Sequence, residues 1–92
     1  MVKGFRHKGL KLFFLTGKET GIIRAHAAKL RHILVRLAVC TDPQQMDLPG
    51  LRLHRLKGKE KGFYALTISG NWRVIFKFDG QDVADVNYLD YH

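Results

Sequence analysis

GNWRVIFKF, residues Gly70 to Phe78, is the stretch around which the chain is organised. Read at period two, Trp72, Val74, Phe76 and Phe78 fall on one side and Arg73, Ile75 and Lys77 on the other, the pattern of a strand with an apolar face and a cationic face. Large aromatic and β-branched groups on one face must be covered, and the segments with helical periodicity earlier in the chain are the only candidates. The other face fixes Arg73 on strand backbone. With basic residues on neighbouring strands, a guanidinium held there suits a phosphate.

Working outward, Asp79-Gly80 is a hairpin signal leading to a last strand, Val83 to Tyr88, with Ala84, Val86 and Tyr88 on one face. In the other direction, Gly70-Asn71 joins the central strand to Phe63–Ser69, preceded by a charged loop, KGKEKG (Lys57 to Gly62), and by Leu51 to Leu56. That segment alternates Leu51, Leu53 and Arg55 against Arg52, His54 and Leu56, after a Pro49-Gly50 turn. Short links make the sheet mainly antiparallel.

Upstream, the period changes to 3.6. Arg24 to Cys40 carries Ala27, Leu30, Ile33, Leu34 and Leu37 at spacings of three and four, with Arg24, Arg31 and Arg36 around them, and is the expected cover for the Trp72 face. Asp42-Pro43 ends it. His26 and His32 lie in this helix without a second ligand type at metal spacing and read as surface residues. Lys8 to Leu15 offers Leu10, Phe13 and Phe14 to the sheet before Gly17 stops it, KETG (Lys18 to Gly21) is a polar loop, and Val2 to Phe5 is a short strand. The expectation is an α+β fold: N-terminal helices packed on a mainly antiparallel sheet of four to five strands, as a single domain over residues 1–92.

The chain of 92 residues carries a formal charge of +8, from 16 Lys and Arg against 8 Asp and Glu, and both halves are basic. The excess is therefore no detachable arm, and a folded basic domain attracts polyanions. A hydrophobic content of 46% excludes a disordered tail. Cys40 has no intrachain partner, which fits a reducing compartment, and as the end of a helix it reads as a small core residue. The apolar run Leu12 to Leu15 is too short for a signal-peptide core or a membrane span, so a cytoplasmic protein without membrane attachment is expected.

Three clusters carry the chemistry: Arg52, His54, Arg55 and Lys57; Arg73 and Lys77; and the terminal Asp90-Tyr91-His92. Two imidazoles among fixed cations are the parts of a metal-free ribonuclease. That reaction needs a base for the ribose 2′-hydroxyl proton, cations for the charge building on phosphorus and an acid for the leaving 5′-oxygen. No carboxylate cluster suits magnesium and no Cys/His set suits zinc, so no metal or other cofactor is expected. A phosphate-binding glycine loop and a nucleophile elbow are also missing.

At these residues the sequence resembles the HigB toxins, part of the RelE-like superfamily of bacterial type II toxin-antitoxin systems, also called plasmid maintenance system killer proteins. LPGLRLHRLKG (Leu48 to Gly58), the Gly62-Phe63-Tyr64 strand start, NWRVIFKF (Asn71 to Phe78), the closing DYH (Asp90 to His92) and the opening FRHKGLKLFF (Phe5 to Phe14) occur in order over nearly the whole chain. The resemblance implies a microbial-ribonuclease-type fold and a ribosome-dependent mRNA endonuclease that cuts the message in the ribosomal A site of the 30S subunit. A cognate HigA-like helix-turn-helix antitoxin, in hetero-oligomeric complex, would neutralise it. It implies His54 and His92 as acid/base residues, Arg73 as the phosphate clamp, Lys57 as a supporting cation, and Asp90 and Tyr91 completing the site. Lys18, Arg24, Arg52, Arg55, Lys59 and Lys77 are the expected RNA-binding residues. Where HigB proteins carry a functional lysine before the long helix this chain has Ile22, with Lys18 or Arg24 as substitutes, and Tyr64 stands where relatives often have Trp. The alternative on the same fold is a non-catalytic, ParE-like gyrase inhibitor, against which both imidazoles and Arg73 speak; a basic RNA-binding protein that cuts nothing is a third reading.

Overall fold

The computed structural model describes residues 1–91. Its elements are α1 (Lys8–Thr16), α2 (Ala27–Val39), β1 (His54–Arg55), β2 (Tyr64–Ser69), β3 (Trp72–Asp79) and β4 (Asp82–Asp90), with 3₁₀ turns at Arg24–His26, Pro43–Met46 and Gly58–Glu60. The four strands lie in the order β1-β2-β3-β4, each pair antiparallel. Val2 and Phe5 make two isolated parallel bridges to Val83 and Val86 along the outer edge of β4, so the first residues, expected as a short strand, cover that edge without forming a continuous one.

Both helices pack on one face of the sheet. α2 buries Ala27, Leu30, Ile33, Leu34 and Leu37, the five residues its period marks, and these join Leu66, Ile68, Val74, Phe76, Val83 and Val86 in one core. Each fully buried aliphatic side chain of this kind stabilises by roughly 1.5–3 kcal/mol. α1 adds Leu10 and Phe13. It starts at His7, whose Nδ1 accepts the Leu10 N–H at 2.9 Å, and stops at Gly17, where a φ of 80° turns the N–H back to Phe13 O at 2.8 Å. Gly9 and Gly21 touch backbone to backbone: a Cβ on Gly9 would stand 2.7 Å from Gly21 Cα. This contact holds the 17–23 loop against the start of α1. α2 ends at Cys40, buried as expected, where burial pushes the thiol pKa up and Sγ donates to Asp42 O.

Three readings of the sequence are corrected. Leu51–Leu56 is not a continuous strand: Arg52 takes a left-handed φ of 51°, which breaks the alternation and leaves His54 and Arg55, both exposed, as β1, while Leu51 and Leu56 keep single backbone hydrogen bonds to Thr67 and Phe63. Ala84 does not share a face with Val86 and Tyr88. A bulge at this point, with Asp85 at φ 52°, puts Val83 in the core instead. His26 is buried at 7% exposure, because it closes a 3₁₀ turn that folds under the sheet end before α2 proper begins; His32 is exposed as expected.

Candidate active site

Register decides which side chains share a face, because directly opposed residues of an antiparallel pair point the same way. His54 stands opposite Ala65, which stands opposite Ile75 and then Asn87; the neighbouring row runs Thr67, Arg73, Leu89. Val74 and Phe76 belong to the helix-covered core, so these two rows lie on the other face. His54 and Arg73 therefore share the sheet face away from the helices, two strands and two residues apart. At ~4.8 Å per strand and ~3.4 Å per residue their Cα atoms are separated by about 12 Å. Long side chains at that spacing can address one nucleotide from two sides.

The floor between them is apolar. Phe63, Ala65 and Ile75 form a second, smaller cluster on this face, with Leu56 and Leu89 packed at its margin. Cations surround it: Lys77 lies over Phe63 and pairs with Asp85 at 3.1 Å, and Arg6 stands 5.0 Å from the same ring.

His54 Nδ1 lies 2.9 Å from the Arg52 carbonyl oxygen. A carbonyl only accepts, so Nδ1 carries the proton and Nε2 of the neutral ring keeps its lone pair. Arg52 holds that carbonyl through its own left-handed backbone, a conformation that costs of order 1–3 kcal/mol for a non-glycine residue. Arg73 is half-buried, and its Nη1 donates to Gly70 O at 2.7 Å and to Trp72 O at 3.0 Å, which ties the guanidinium to the β2–β3 turn.

Asp90 pairs across the sheet with Trp72, and the Tyr91 N–H donates to Asn71 O at 2.7 Å. The last described residues thus reach the same turn as Arg73. His92 lies outside the described residues. Lys57 follows β1 and is exposed, and Arg55 and Lys59 are exposed nearby, with the Arg55 guanidinium 5.8 Å over Tyr64. Lys18 and Arg24 lie in the segment before α2 rather than on the sheet; Arg24 is 93% exposed and 3.8 Å from Glu19. Ile22, at the position expected to carry a lysine, packs against the core.

Sequence reasoning missed the layer beneath the Arg73 end. His26 Nδ1 and Tyr88 Oη are 2.6 Å apart, the Ile23 N–H donates to the same hydroxyl at 3.4 Å, and Trp72 meets the His26 ring edge-on and lies tilted against Tyr88 with ring centres 4.8 Å apart. His7 meets Tyr88 edge-on. Burial pushes the Tyr88 phenol pKa up and the His7 imidazole pKa down. This cluster ties the segment before α2 to the strand ends that carry Arg73 and Asp90. A histidine ahead of an apolar helix gave no signal of it.

Among the described residues no helix is long and apolar enough to cross a membrane. Residues 3–92 match the family model described as the RelE-like toxin HigB of type II toxin-antitoxin systems. A curated relative from Proteus vulgaris, named Endoribonuclease HigB, is 35% identical over 92 residues, covering 100% of both chains. With matches of this extent, the two helices on a four-stranded antiparallel sheet are the fold of a known family: the chain belongs to the HigB-like, RelE-like toxins of type II toxin-antitoxin systems.

Proposed function

We propose that the chain is an endoribonuclease that cuts mRNA in the ribosomal A site by acid/base chemistry and so stops translation. The observation that carries this reading is the sheet face that His54, with Nε2 available, shares with Arg73, which stands within one nucleotide's reach; the backbone of the Asp90-Tyr91 end reaches the turn that holds Arg73. The Proteus vulgaris relative, an endoribonuclease by name, adds support.

In the proposed reaction His54 Nε2 takes the proton of the ribose 2′-hydroxyl. The freed oxygen attacks the adjacent phosphorus, and the bond to the 5′-oxygen breaks. Arg73, donating through Nη2 and Nε, stabilises the charge that builds on the non-bridging oxygens, with Lys57 as a second cation. A group of the Asp90-Tyr91-His92 end returns a proton to the leaving oxygen. Arg52, Arg55, Lys59 and Lys77 hold flanking phosphates.

As a member of a toxin-antitoxin family the chain has an antitoxin partner. A helix-turn-helix, HigA-like antitoxin and the ribosome are the partners this reading requires, in the cytoplasm. His54→Ala is expected to lower cleavage of ribosome-bound message by about 10²–10⁴-fold, and Arg73→Ala by about 10²–10³-fold, with unchanged circular dichroism. Full cleavage by folded His54→Ala protein would remove His54 from the chemistry.

A further inference from the structure

The connection between β1 and β2 folds over a cleft of about 440 Å³. That is within the usual range of small-ligand sites, about 300–1,000 Å³. Its floor is Leu56, Phe63 and Tyr64, and Arg55, Lys57 and Lys61 stand at its margin. Gly58 and Gly62, at φ 69° and 96°, also line it, and a Cβ on either would meet nothing within 4 Å, so the loop turns around the space without filling it. Arg55 and Tyr64 belong equally to a smaller cavity of about 210 Å³ that contains His54. The two spaces therefore share a wall.

We infer that this cleft takes one unstacked nucleobase of single-stranded RNA, with Lys61 holding an adjoining phosphate. The inference rests on the proposed nuclease reading for its substrate class and adds where the strand goes beside the scissile bond. A base is a flat, largely apolar body carrying an anion one sugar away, and the cleft has the matching parts: an apolar and aromatic floor with cations along its edge. Among the described residues its lining contains no carboxylate. Phe63 and Leu56 of the cleft pack with Ala65 and Ile75 on the sheet face that carries His54, so a strand whose phosphate lies at His54 can put a neighbouring base into the cleft. Lys61 is outside the set of residues that sequence reading marked for RNA, and the cleft makes it a binding residue.

The experiment is an amide NMR titration of the intact protein with a hexaribonucleotide carrying 2′-O-methyl groups, which lack the proton the reaction removes. Shifts concentrated at residues 56–64 are expected. Lys61→Ala should weaken binding several-fold and make the salt slope shallower by about 0.7, the contribution of one single-strand phosphate contact. An abasic hexamer should lose the shifts at Leu56 and Phe63. Equal binding of the abasic strand, unmoved cleft amides, or tighter occupation of the cleft by a Glu-rich decapeptide than by RNA would overturn the inference, the last in favour of a protein interface. The reading needs no cleavage. A protein that cuts message with an unmoved cleft refutes the cleft alone, whereas one that shows the shifts and cuts nothing refutes the nuclease and keeps the cleft.

Discussion

His7 makes stability depend on pH. Its Nδ1 accepts the Leu10 N–H at the start of α1, and burial against Tyr88 holds the imidazole pKa below its ordinary value of 6.5. Only the unprotonated nitrogen accepts. Between the folded and unfolded pKa values the unfolded chain binds more protons, so stability rises with pH through this window; it is fully present above about pH 6.5 and is lost as pH falls through the folded value. In urea titrations from pH 7.5 to 5 the loss expected from this cap is of order 1 kcal/mol. His7→Asn keeps a capping oxygen without titrating there and should flatten this part of the curve; an unchanged slope in that variant would assign the dependence elsewhere. The cap is local, His7 to Leu10, but histidine is not among the usual capping residues and gave no signal; the His26–Tyr88 bond joins residues far apart in sequence that only the closed sheet brings together. Arg73, His54 and the Asp90-Tyr91 end were legible as types and as order. The carbonyl that fixes the His54 tautomer was not, since it depends on one left-handed backbone at Arg52.

The helices and the long strands follow directly from hydrophobic period, and every apolar position marked on α2 is buried. The failures are local. Left-handed residues at Arg52 and Asp85 each reset the alternation, and since neither is a glycine the pattern carried no warning. The parallel pairing of Val2 and Phe5 with β4 was hidden for another reason: a short apolar stretch does not say which edge it joins. The Gly9–Gly21 contact was equally invisible, and it yields a prediction. Gly9→Ala improves helix propensity by about 1 kcal/mol, yet must push backbone from backbone. The expected outcome is net destabilisation by about 1–3 kcal/mol in denaturant unfolding. A more stable Gly9→Ala protein would mean that the loop before α2 moves freely away from α1.

Helices on one face leave the other free for a large polyanion, and the net charge of +8 draws one to it. Charge alone serves a nuclease, a gyrase poison and a passive RNA binder equally; the proposed nuclease reading rests instead on His54 and Arg73 sharing one sheet face. The most direct test is primer extension on a defined mRNA incubated with this protein, with and without ribosomes programmed with that message. New 5′ ends at defined positions that appear only with ribosomes are the predicted result. Intact message under both conditions would contradict the account, and cleavage of free RNA at the same rate would contradict the ribosome's part in it.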